Sequence, residues 1–170
     1  MLKVTLNKHQ QFTEKEVFKL ANALNVLQIV VNSKEFKTRV LSFTYRGEFR
    51  FFETNLSNVR VYDMFMSGRQ YNEQTDDYEL DVDLTIYHSR WSSTVGYTYP
   101  NTVRTWINRK FFSGYGLAEI CGNVAHEYCH KIGFEHSFQP TPSRPFSVPY
   151  GIGNLVEELA EKYLKNGELL

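Results

Sequence analysis

Apolar and polar residues alternate almost without error in Tyr78-Glu79-Leu80-Asp81-Val82-Asp83-Leu84-Thr85-Ile86-Tyr87-His88. Successive side chains of a strand point to opposite faces, so this period of two predicts a strand with one face in the core. Two further β-rich stretches, 94–99 and 102–112, flank Pro100-Asn101 and are expected to pair antiparallel. Ahead of these the spacing is helical. Thr13 and Glu16 have capping-box spacing, Phe12 is placed to staple onto Val17, and Val17, Leu20, Ala21, Leu24 and Val31 continue the stripe. Ser33 heads a second helix through Phe36, Val40 and Phe43. Residues 57–67, closed by Gly68, make a third with Val61, Tyr62, Phe65 and Met66 near its buried side.

A helix is predicted over 117–132. Four of the five prolines then fall from Pro140 to Pro149, which predicts an irregular loop because proline lacks the N–H that a helix interior uses. Asn154 and Glu157 repeat the capping-box spacing at the head of a last helix. Its stripe is Leu155, Val156, Leu159, Ala160, Tyr163 and Leu164, and it ends before Gly167. Helices, then strands, a helix, a loop and a final helix predict one α+β domain over residues 1–170.

Composition narrows the function classes. The chain is 42% hydrophobic and 22% charged, with 13 phenylalanines and 11 tyrosines, which supplies a core and excludes a disordered chain. Lysine plus arginine and aspartate plus glutamate each number 19, so net charge gives no reason to expect nucleic acid or an anionic membrane as partner. Arg104, Arg109 and Lys110 are too few, and too mixed with Trp106 and Phe111, to make a nucleic-acid surface. The first residues are polar and no apolar run approaches 18, so neither a signal peptide nor a membrane span is expected. A monomer, cytoplasmic by default, is the expectation. Cys121 and Cys129, eight apart on one helix, stand about 12 Å from each other and are expected to remain free thiols.

Three of the five histidines lie in His126-Glu127-Tyr128-Cys129-His130-Lys131-Ile132-Gly133-Phe134-Glu135-His136. Histidines at i and i+4 are about 6 Å apart in axial rise on one helix face and can converge on one zinc ion, Zn2+. Gly133 can take the positive φ of a helix C-terminus and turn the chain so that His136 joins them. Three neutral nitrogens leave a fourth coordination position for water, the mark of a catalytic rather than a closed structural zinc. Glu127 projects about 100° around the helix from His126, where it can accept a proton from that water. On the helical wheel Leu117, Ala118, Cys121, Val124, Ala125, Tyr128 and Ile132 form an apolar face. Glu119, Gly122, Asn123, His126 and His130 are expected to line a cleft opposite. Random shuffling would give this constellation with a probability on the order of one in 10⁵.

The motif resembles the extended zinc signature of the metzincin metallopeptidases. The resemblance implies a zincin-like α+β domain with a small, mostly antiparallel sheet, an active-site helix and a C-terminal helix. It implies endopeptidase activity on protein or peptide substrates, with His126, His130 and His136 as zinc ligands and Glu127 as general base. Metzincins carry a methionine turn beneath the metal, whereas here Met1, Met64 and Met66 all precede the motif. Ser147-Val148-Pro149-Tyr150-Gly151 is similar to that turn, with Val148 or Pro149 as apolar floor. On this resemblance Tyr150 ligates zinc or donates a hydrogen bond to the oxyanion; as one of eleven tyrosines it equally suits packing.

Other candidates follow from spacing alone. Asp81 and Asp83 share a strand face that suits calcium less well than solvent. Cys129 reads as a small buried hydrophobe. Glu119 and Asn123, one and two turns before His126, suit hydrogen bonds to the ligands or solvent. Two rival functions share the zinc chemistry: hydrolysis of another amide, such as a cell-wall peptide, and a binding module that zinc merely staples.

Overall fold

The structure, a computed structural model, describes residues 1–46, 56–69, 77–99 and 102–167. The predicted connection at Pro100-Asn101 lies outside the described residues. The chain opens on a strand that its pattern does not announce, β1 (Lys3–Gln10), in which Val4 and Leu6 are the only aliphatic residues. The helix α1 (Glu14–Val31) follows, with Thr13 and Glu16 forming the expected capping box. Two of its polar side chains complete β1. Gln28 Oε1 accepts from the Val4 N–H at 2.8 Å, and the Asn32 amide, just past the helix, accepts from Leu2 N–H and donates to its carbonyl. The unpaired backbone of an edge strand is thereby covered.

Next come α2 (Lys34–Ser42), capped by Ser33, and α3 (Asn58–Met66), capped by Ser57, with Gly68 at φ 78° beyond it. The alternating segment is β2 (Glu79–Tyr87). β3 (Gly96–Thr98) and β4 (Arg104–Asn108) are antiparallel, as expected. The second β-rich stretch is shorter than predicted, because Asn108 caps a helical turn, α4 (Arg109–Phe112).

Strand order is β1-β2-β4-β3, with β1–β2 and β2–β4 parallel. The expectation of a mostly antiparallel sheet is therefore corrected: the sheet is mixed and mostly parallel. Parallel pairing joins strands distant in sequence through crossovers. Here α1, α2 and α3 intervene between β1 and β2, so no local turn signal marks the pairing.

The remaining elements are α5 (Leu117–Lys131) and α6 (Val148–Lys165), joined through a 3₁₀ turn at Arg144–Phe146. The last helix starts six residues before the predicted Asn154 cap. Pro149 is no obstacle because it occupies the first turn, where its missing N–H costs nothing; Asn154 is an exposed position inside the helix. Leu24, Leu27, Leu84, Ile86, Ile107, Val124, Tyr128, Ile152 and Leu159 join helices and sheet in one buried cluster. Both cysteines are buried free thiols, and burial pushes Cys121 up to about 12. No helix among the described residues is long and apolar enough to cross a membrane.

Candidate metal centre

The helix that carries the motif is fixed at both ends by its own sequence. At its start, Glu119 accepts the Gly116 N–H, so this carboxylate serves the helix terminus rather than the histidines. At its end, Gly133 adopts φ 99°. Phe134 N–H bonds the Cys129 carbonyl and Gly133 N–H the His130 carbonyl, the two bonds of a Schellman motif. Phe134 is fully buried beneath the turn, and its own carbonyl accepts from His130 Nδ1 at 2.8 Å. One glycine thus closes the helix, brings His136 back and orients the ring of His130.

The three rings converge. His126 Nε2 lies 3.1 Å from His136 Nε2 and 3.3 Å from His130 Nε2, and one nitrogen from each ring falls within 4.8 Å of the others. Four nitrogens about 2.0–2.1 Å from a tetrahedral zinc are about 3.3 Å apart, so the spacing suits such an ion. The outer nitrogens are tied to carbonyls: His130 Nδ1 to Phe134 and His136 Nδ1 to Ser137 at 3.0 Å. His126 bonds the backbone of Pro149, which has only a carbonyl to offer. A carbonyl only accepts, so each neutral ring carries its proton on the outer side and turns a lone pair inward. Three facing lone pairs repel unless a cation lies between them. Burial first, then the charges of the other two histidines, holds His126 well below the ordinary histidine range, and burial likewise lowers His136. Neutral imidazole is the form that ligates metal. Among the described residues this is the one group of three or more His, Cys, Asp or Glu that could hold a metal ion; Asp81 and Asp83 form no such group.

Glu127 is 5% exposed, and its Oε2 has no hydrogen-bond partner. Burial pushes its carboxyl up to about 8, opposed by the Lys131 ammonium one turn on. Beside it runs β3, where a Cβ on Gly96 would stand 3.2 Å from Glu127 Oε1 and Asn123 Oδ1. Asn123 Oδ1 is also without a partner; the structure gives Asn123 a place next to Glu127 rather than a bond to a histidine. Lys131 went unnoticed in the sequence, although its i+4 spacing from Glu127 was a usable signal. It is 4% exposed, and burial lowers it to about 8 against the pull of Asp83, Asp81 and Glu127. Asp83 is buried, not on a solvated face, and Cys129 is fully buried as expected.

Tyr150 stands at the triad. Its ring centroid is 4.8 Å from those of both His126 and His136. Val148 and Pro149, the two residues before it, are buried in the first turn of α6. Arg144, which nothing in the sequence singles out, donates from Nη2 to Tyr150 Oη at 2.5 Å. What brings α6 here is a close helix crossing. A Cβ on Gly122 would meet the Gly153 carbonyl oxygen and Glu157 Cβ, both at 2.9 Å, and one on Gly153 would meet His126 Cβ at 3.1 Å. Gly122 is thus buried against α6, which corrects its expected place on a cleft.

Gly122→Ala is expected to lower stability by about 1 kcal/mol, since overpacking costs about 1–3 kcal/mol and outweighs the helix-propensity gain of roughly 1 kcal/mol. The crossing is backbone to backbone and cannot rotate away. Thermal unfolding of the variant checks this; an unchanged or higher midpoint would contradict it. No known protein family, curated protein or solved structure matches the chain, so its own residues carry the functional reading.

Proposed function

We propose that this protein is a zinc-dependent metalloendopeptidase of zincin-like, metzincin-like type. The observation that carries the reading is the convergence of three histidine Nε2 atoms, two of them from a helix that also carries a buried carboxyl with an unpartnered oxygen. His126, His130 and His136 would hold the ion. When bound, zinc supplies a Lewis acid that polarises an amide carbonyl and lowers the pKa of a water toward neutrality. Glu127 takes the proton of the attacking water as oxygen bonds to the amide carbon, then delivers it to the leaving nitrogen as the C–N bond breaks. Its dry surroundings suit a base whose pKa must lie near the working pH. Tyr150, against two of the three rings, donates a hydrogen bond to the oxyanion. Against a zinc that only staples the fold stands the size of the group, three residues among those described, which leaves a coordination position open.

The test is zinc quantification on purified protein combined with digestion of a proteome-derived peptide mixture. One zinc per chain and new internal termini are expected; protein that holds no divalent ion, or holds one and cuts nothing, would refute the proposal. Tyr150→Phe is expected to lower turnover by up to about 10²-fold at unchanged zinc content. Equal turnover would return Tyr150 to a packing role.

A further inference from the structure

We propose that Arg144 gives this site its substrate class: its guanidinium receives the carboxylate of an aspartate or glutamate adjacent to the bond being cut. The inference rests on the peptidase reading above and deepens it. Two arginines of the described surface are neutralised by acids, Arg39 by Glu158 at 2.5 Å and Arg109 by Glu16 at 2.9 Å. Arg144 is only partly exposed, yet its partners are neutral oxygens, Tyr150 Oη at 2.5 Å and the Phe138 carbonyl at 3.4 Å. Its Nε is buried without a hydrogen-bond partner. A guanidinium has five N–H donors; with Nε buried and one N–H of each Nη already used, one on each Nη remains for a ligand, in a fork that matches a carboxylate.

The cation is also held in place. Its Cζ lies 4.9 Å from the Tyr150 ring centroid, and that ring abuts His126 and His136. One aromatic ring therefore separates the charge from the triad. A half-buried cation beside the ligands of a second cation is electrostatically unfavourable until an anion arrives. Because the stack and the hydrogen bond fix the side chain beforehand, little entropy is lost when the anion binds.

The test measures binding apart from turnover. Two peptide hydroxamates, identical except for glutamate or glutamine beside the metal-binding group, are titrated calorimetrically into zinc-loaded protein. The wild type is expected to bind the glutamate form about tenfold tighter. Arg144→Gln should erase that ratio, Arg144→Glu should invert it, and Arg144→Lys should keep part of it, with zinc content and circular dichroism verifying each fold. Equal affinities in the wild type, or a preference that survives Arg144→Gln, would overturn the inference and leave the peptidase reading standing. Parallel weakening of both ligands by Arg144→Gln would overturn it in favour of a role in positioning Tyr150 alone. Failure of both ligands to bind a zinc-loaded chain would sink the open-site reading and this inference together.

Discussion

Replacing His130 with alanine is expected to weaken zinc binding by more than about 100-fold and to abolish peptide cleavage. Losing a hydrogen-bond partner behind a ligand already costs roughly 10–100-fold in metal affinity, and here the ligand itself goes. The effect is local, because the His130 ring is partly exposed and no core residue is removed. The Phe134 carbonyl, which accepts from His130 Nδ1, can turn to water. Competition against a chromogenic chelator gives the affinity, and circular dichroism reports the fold. A variant that kept tight zinc binding would mean that the three rings do not act together. The same measurement on His126→Ala should show a comparable loss, since His126 Nε2 faces both other Nε2 atoms.

Glu127→Gln is expected to lower kcat by about 10²–10⁴-fold, the usual contribution of a positioned general base, while zinc stays bound. The amide matches the carboxyl in shape and cannot take the proton. The substitution also removes a buried acid whose pKa is pushed from 4.5 to about 8. A group whose folded pKa is raised stabilises fully below its unfolded value and loses that contribution as pH rises through the folded one. The metal-free wild type should therefore lose stability relative to metal-free Glu127→Gln as pH rises from 4.5 to 8. Denaturant unfolding of the two proteins across that range isolates this group from the histidines, which both retain. Parallel pH profiles would show that Glu127 is not buried as the structure has it. Cleavage by the variant at the wild-type rate would remove it from the chemistry.

The centre was legible because its geometry is local. His126, His130 and Glu127 sit on one helix whose angular positions follow from 3.6 residues per turn, and Gly133 announces the turn that returns His136. Capping residues were equally readable at Thr13, Ser33 and Ser57, since a cap involves side chains within three residues of each other. The long-range pairings were not. β1 carries two aliphatic residues and gains its place from β2, some 75 residues on, and from Gln28 and Asn32. The Gly122–Gly153 crossing and Arg144 depend on α6 packing against α5, which no short window of sequence encodes.

The order of residues by itself therefore determined the histidine cluster, the helix position of Glu127 and most helix starts, because hydrogen bonding and side-chain direction over a few residues suffice for these. Tertiary structure alone decided the mostly parallel sheet, the approach of Tyr150 to the triad and the unneutralised charge of Arg144. Each of these comes from groups far apart along the chain that burial of a common apolar surface brings together.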